Sequence, residues 1–150
     1  MTTDRQGPGD SLDPHLARRL LEQARAARAH AYAPYSDFPV GAALLSRDGR
    51  IFTGVNVENA SYGLSTCAER AAVVSAVAAG TRGFTAIAVV GPEDGRACPP
   101  CGACRQILHE ADPEMLVITE GTSGPVITPL RALLPSAFER SDVRRRSVQP

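Results

Sequence analysis

The sequence has no tryptophan, and tyrosine and phenylalanine together bring the aromatic content to only 5% of 150 residues. Surfaces that hold single-stranded nucleic acid stack bases on aromatic side chains along a basic groove, so a chain this poor in aromatics argues against one. Net charge is lacking too: 16 Lys and Arg offset 16 Asp and Glu. No overall field draws such a chain onto nucleic acid or an anionic membrane. A small, neutral partner fits better. The one basic cluster, Arg144 to Arg146, reads as part of a solvated tail. No apolar run approaches the ~20 residues of a membrane span, and "MTTDRQGPGDSLDP" has no hydrophobic segment of the kind a secretory signal needs. The expectation is therefore a cytoplasmic chain. In a reducing compartment disulfides are disfavoured, which moves the four cysteines toward metal binding or catalysis. Asn59 to Ser61 spells a glycosylation sequon but lacks the secretory context for it.

What is present is the content of one globular domain, 43% hydrophobic and 21% charged. Residues 1–11 are rich in Gly, Pro, Asp and Thr and read as a flexible N-terminal tail. Residues 12–140 read as the domain and 141–150 as a flexible C-terminal tail. Asp13 can cap a helix whose first position is Pro14, with Leu16, Leu20, Leu21, Ala24 and Ala27 at helical spacing. "PVGAALLSRDGRIFTGVNV" predicts two strands joined through Asp48 and Gly49. "STCAERAAVVSAVAAG" predicts a helix stopped at Gly80, "FTAIAVVG" a strand, and "CGACRQILHEAD" a helix halted by Pro113. "EMLVITE" and "GPVITPL" predict two more strands, and "LRALLP" a last helical turn. Strands alternating with helices imply a mixed sheet covered on both faces.

Three of the cysteines fall within "CPPCGACRQ"; Cys67 lies upstream in "STCAERAAV". Cys67 sits in the first turn of one predicted helix, and Cys101 and Cys104 share a face in the first turn of another. Helix N-termini stabilise thiolates, the form that binds metal. Three such ligands leave the fourth position of a zinc tetrahedron to water, whereas a closed structural site needs a fourth protein ligand. Cys98 is the candidate for it. The two prolines between Cys98 and Cys101 force extended backbone, which turns Cys98 away from the helix-borne pair and toward a packing role. His15, His30 and His109 lack any paired metal spacing.

Glu69 has two readings. Thr66-Cys67-Ala68-Glu69 spells a capping box, in which Glu69 only satisfies the start of the helix. Alternatively a carboxylate two residues beyond a zinc ligand stands beside water on the metal and can move its proton. Cys-x-Glu followed downstream by Pro-Cys-x-x-Cys is the arrangement of zinc deaminases.

With "YSDFPVGAAL", "GVNVENASYGLSTCAER", "PCGACRQ" and "LLPSAF" in this order, the chain resembles the small homo-oligomeric cytidine deaminases of pyrimidine salvage. It departs from them at Ser136, where the family more often has Gly, and in a longer N-terminal tail. The resemblance implies an α/β protein with a three-layer α/β/α cytidine deaminase-like fold and a five-stranded mixed sheet. It implies Zn²⁺ on Cys67, Cys101 and Cys104, Glu69 as proton shuttle, and Arg70 hydrogen-bonding the cysteine sulfurs. Three thiolates leave such a site net negative, which Arg70 would offset. The implied reaction is hydrolysis of cytidine and deoxycytidine at C4, giving uridine or deoxyuridine and ammonia. Asn56 and Glu58 match the ribose-binding pair, Phe38 a residue packed on the pyrimidine, and Tyr62 one near the sugar; the backbone of Ala60 and Ala68 would line the pocket. Phe138 resembles an aromatic that reaches a neighbouring subunit's site in a homotetramer.

Two alternatives stay open at this level. A deaminase of another base, including a blasticidin-type one, would keep the zinc residues, but Arg70 and Phe138 favour cytidine. A non-catalytic zinc-stabilised module would use Glu69 for capping alone.

Overall fold

The computed structural model describes residues 11–94 and 96–144. Helix α1 (Pro14–Arg28) begins as the sequence predicts: Asp13 is the N-cap, its carboxylate accepts from the His15 amide at 2.8 Å, and Pro14 opens the helix. Its buried stripe is Ala17, Leu20, Leu21 and Ala24; Leu16 and Ala27 lie at its margins, half-buried.

Five strands form one sheet in the order β2-β1-β3-β4-β5. Strands β1 (Gly41–Ser46) and β2 (Ile51–Val55) are an antiparallel hairpin, and β1 also runs antiparallel to β3 (Phe84–Val90). Strand β3 pairs parallel with β4 (Leu116–Gly121), the arrangement that requires a crossover, and α3 (Gly102–Ala111) supplies it. Strand β4 closes on β5 (Gly124–Pro129) as a hairpin, and the short α4 (Leu130–Leu133) follows. The mixed sheet predicted from the order of elements is therefore present.

Alternation along the strands divides two cores. Ala43, Leu45, Ala86, Ala88, Val90, Leu116 and Ile118 face α1. Ala42, Leu44, Ile87, Val89 and Val117 face α2 (Ala68–Ala78) and α3. Every residue of β1 is buried, as expected of a strand covered on both faces. The result is three layers, helix on sheet on helices.

Helix α2 lies very close to β2. A methyl group on Gly54 would stand 2.3 Å from the Ala68 carbonyl oxygen and 2.4 Å from the Ala72 amide, so only glycine permits the approach. The run Ala68, Ala72 and Ala76 gives the helix the matching thin face. At its other end the amides of Gly80 and Thr81 bond the carbonyls of Val77 and Ala76, a terminating pattern that closes the helix where the sequence predicts.

The register places Gly41, at the start of β1, between Val55 and Val90, the ends of β2 and β3. The segments that flank this end of the sheet, residues 38–40, 56–67 and 96–101, meet there, and α2 and α3 both begin there.

One expectation needs adjustment. Residues Arg140–Arg144 form a short helix, α5, where a tail was expected to begin at 141. The rest of that tail and most of the N-terminal one lie outside the described residues, as does the basic run beyond Arg144. Among the described residues no helix is long and apolar enough to cross a membrane.

Candidate metal centre and substrate cleft

Cys67 is the N-cap of α2, Cys101 is the N-cap of α3, and Cys104 lies one turn into α3. Neither N-cap cysteine makes a side-chain capping bond. Their backbones are extended, which frees the sulfurs to point off the helix ends. The three sulfurs lie within 4.8 Å of one another. Thiolates at ~2.3 Å around a tetrahedral zinc stand about 3.8 Å apart, so a modest contraction seats the ion, and the donor set fits. Cys98 is not in the cluster, in agreement with the packing role predicted for it.

The capping-box reading of Glu69 fails. The N-cap is Cys67 rather than Thr66, whose amide and carbonyl are spent on a backbone bridge to Val57. Glu69 therefore sits in the second position of α2 and is only 5% exposed. Burial pushes its carboxyl above the usual carboxylate range, against smaller contributions from its own backbone amide, Cys104 and Arg70.

The same burial pushes the Cys67 and Cys104 thiols up, with the charges of neighbouring groups adding to it. At Cys101 burial is outweighed by hydrogen bonds from the Cys104 amide and from the Cys104 and Cys67 thiols, and its pKa falls. Cys101 is thus the most readily ionised of the three, and a bound dication is what favours ionisation of all of them. Arg70 differs from expectation: its Nη2 donates to the Ser65 carbonyl at 3.2 Å, and its buried Nε has no hydrogen-bond partner among the described residues. Among the described residues it forms no bond to a sulfur.

A cleft of about 350 Å³ opens beside the cluster, lined by Cys67, Glu69 and Cys101 and by the predicted Phe38, Asn56, Glu58 and Ala68. Phe38 is 44% exposed, its ring free to meet a ligand. Asn56 ties the segment before β1 from both sides, accepting from the Val40 amide at 2.8 Å and donating to the Phe38 carbonyl at 2.9 Å. Glu58 accepts from the amides of Tyr35 and Ser36 at 3.0 and 3.1 Å. The Ser36 side chain leads, and together with these amides it outweighs desolvation to hold the carboxyl below the usual range.

Not every predicted residue arrives here. Tyr62, 75% exposed, lies in a neighbouring depression that shares Ser36 and Glu58 with the cleft, edge-to-face with Tyr35 at 6.0 Å. Ala60 is exposed and lines neither. Phe138 is 62% exposed and also lines neither; its carbonyl is held by Gln106 Nε2 at 2.8 Å.

Two residues escaped the sequence reading. The Ser36 hydroxyl accepts from the Phe38 amide at 3.1 Å, and the Ser36 side chain is the largest influence lowering the Glu58 carboxyl, so Ser36 stands between the aromatic and the carboxylate. Arg105 donates from Nε to the Pro100 carbonyl and from Nη1 to the Leu133 carbonyl, both at 2.8 Å, fixing the segment that delivers Cys101. The signal for Arg105 was its place directly after Cys104; for Ser36 there was none beyond lying two residues before Phe38.

Comparison with known proteins gives one answer. Residues 14–120 match the family model of the cytidine and deoxycytidylate deaminase zinc-binding region. A cytidine deaminase of Sporosarcina psychrophila is 45% identical over 133 residues, 87% of this chain and 97% of the relative. One of Halalkalibacterium halodurans is 47% identical over 126 residues, 83% of this chain and 95% of the relative. The crystal structure of cytidine deaminase from Burkholderia pseudomallei superposes with a TM-score of 0.76 at 53% identity, covering 81% of this chain and 98% of the other. A zinc-binding family and a three-thiol cluster that fits zinc agree on Zn²⁺ as the cofactor. With residues 14–120 matching the family model and most of its length aligned with these relatives, the chain belongs to the cytidine and deoxycytidylate deaminase family.

Proposed function

We propose that this protein hydrolytically deaminates cytidine and deoxycytidine to uridine and deoxyuridine, releasing ammonia, as a cytoplasmic enzyme of pyrimidine salvage that works as a homotetramer. The observation that carries the reading is the buried carboxyl of Glu69, set beside the three-thiol cluster in a cleft that Phe38, Asn56 and Glu58 also line.

Cys67, Cys101 and Cys104 hold the zinc. When bound, the zinc acts as a Lewis acid that lowers the pKa of a water at the coordination position the protein leaves open. Phe38 packs on the pyrimidine, and the backbone at Ala68 borders it. Glu58, kept ionised by Ser36 and two backbone amides, accepts hydrogen bonds from sugar hydroxyls, and Asn56 adds an amide dipole beside it. Glu69 takes a proton from the attacking water and hands it to N3 of the base. It carries a second to the amine as the C4–N bond breaks, so that cytidine and water leave as uridine and ammonia. Burial suits Glu69 to this shuttle, because a carboxyl whose pKa is raised is a stronger proton acceptor than an ordinary carboxylate. Tyr62 and Ala60, outside the cleft, approach the sugar only as part of an assembled site, together with a neighbour's Phe138.

The test is the ultraviolet change on adding cytidine to zinc-loaded protein, with Glu69→Gln at matched metal content beside it. Wild type converts cytidine, and the variant loses about 10²-fold to 10⁴-fold or more in rate with zinc retained. An unchanged rate in the variant sinks the assignment of Glu69.

A further inference from the structure

Cys98 lines the same cleft as Glu69 and Cys101, yet its sulfur stands outside the metal cluster. It packs against the core on the α2 side of the sheet. Burial pushes its thiol up to about 11, so it meets the cleft as a small neutral group.

Cys98 and Phe38 come together over Gly91. A methyl group on Gly91 would lie 2.9 Å from Cβ and 3.0 Å from Sγ of Cys98, and 3.6 Å from Cε1 of Phe38. The glycine leaves the space that the cysteine occupies, and the three residues form one continuous wall.

That wall is braced at several points. Pro99 and Pro100 fix their own backbone and keep Cys98 extended. Arg105 Nε holds the Pro100 carbonyl at 2.8 Å, and Arg28 Nη1 holds the Gly91 carbonyl at 2.6 Å. Asn56 pins the backbone around Phe38. A larger or smaller residue at position 98 is therefore not absorbed by the loop; the change in volume passes to the Phe38 ring and to the space in front of it.

We propose that Cys98 is a specificity-determining residue of the substrate cleft, its size setting the room left beside Phe38 for a substituent on the pyrimidine. The proposal rests on the nucleoside reading given above. C5 of the base neighbours the reacting carbon, so a methyl group there stays in the part of the cleft bordered by the cysteines. An apolar wall discriminates a single methylene by roughly 10-fold to 200-fold.

The experiment compares zinc-loaded wild type with Cys98→Ala, Cys98→Val and Cys98→Leu, each on cytidine and 5-methylcytidine, with zinc content measured in every sample. Zinc stays at the wild-type level throughout. The ratio of kcat/KM for 5-methylcytidine to that for cytidine rises about tenfold in Cys98→Ala and falls by a similar factor in Cys98→Leu, with Cys98→Val between wild type and Cys98→Leu. A role in packing alone would slow both substrates equally and leave the ratio unchanged within twofold, which overturns the proposal. Loss of zinc in Cys98→Ala overturns it as well, by making Cys98 a ligand. If wild type does not deaminate cytidine, the function proposed above falls on its own account. The wall is then tested by a crystal structure of Cys98→Leu, where a displaced Phe38 ring supports it and an unmoved ring overturns it.

Discussion

A cysteine at a helix N-cap forgoes the side-chain oxygen that serine or aspartate would offer the first free amides, a contribution of ~1 kcal/mol. Cys67 and Cys101 both forgo it, which makes sense if their sulfurs are spent on a metal instead. Cys101→Ser should accordingly strip the zinc from purified protein, while Cys98→Ser keeps it at the wild-type level, as metal analysis of the two variants will read. Equal loss in both would replace the three-ligand site by a four-ligand one. Glu58 gives the pH dependence at this scale. Its carboxyl binds its proton more weakly in the folded chain than its ordinary value of 4.5, led by the Ser36 hydroxyl. The folded state therefore holds fewer protons than the unfolded one across that window. The stability it contributes is present above pH about 4.5 and is lost as pH falls through the lower folded-state value. In Ser36→Ala the Glu58 carboxyl, followed by NMR, should titrate at higher pH than in wild type; an unmoved titration would remove Ser36 from its role.

Helices and strands carry these side chains to one place, and Gly54 shows how tightly. Gly54→Ala puts a methyl group 2.3 Å from the Ala68 carbonyl, which forces α2 off the sheet at the turn that bears Cys67 and Glu69. Overpacking of this kind costs about 1–3 kcal/mol. Urea unfolding should show it, together with weaker zinc retention, since the displaced turn carries a ligand; stability equal to wild type would mean the contact relaxes without cost. Much at this scale was readable in advance. The α1 cap at Asp13, the stop at Gly80 and the strands that alternate between two cores all follow from local spacing and turn chemistry; helix periodicity put Cys101 and Cys104 on one face, while the assignment of Cys67 beside them as a ligand came with the family resemblance. The residues that escaped act over sequence distance. Arg105 reaches Leu133, Arg28 reaches Gly91, and no local pattern reports such a bond. Arg70 is a different case: its expected sulfur partner came from resemblance rather than from any local pattern, and its Nη2 meets a nearby carbonyl while its buried Nε has no partner among the described residues. Helix α5 was missed because five residues are too short for a periodic signal.

For the molecule as a whole the open element is Phe138. Its ring is 62% exposed, it lines neither the cleft nor the neighbouring depression, and its segment is tied back to α3 through Gln106. A large aromatic held in place yet left mostly in solvent has much of its ring available to another chain, which is the condition for donation. In the proposed tetramer each cleft is then built from two chains, with Glu69 from one and Phe138 from its neighbour. That arrangement makes a specific prediction about mixtures. Glu69→Gln lacks the proton shuttle and Phe138→Ala lacks the donated ring, so each is defective alone. When the two are unfolded together and refolded as mixed oligomers, some clefts pair the intact Glu69 of one chain with the intact Phe138 of the other. Activity should return to a measurable fraction of wild type, and each variant refolded alone should stay at its own low level. If Phe138 instead served the cleft of its own chain, no mixed oligomer would contain an intact site, and the mixture would only average its components.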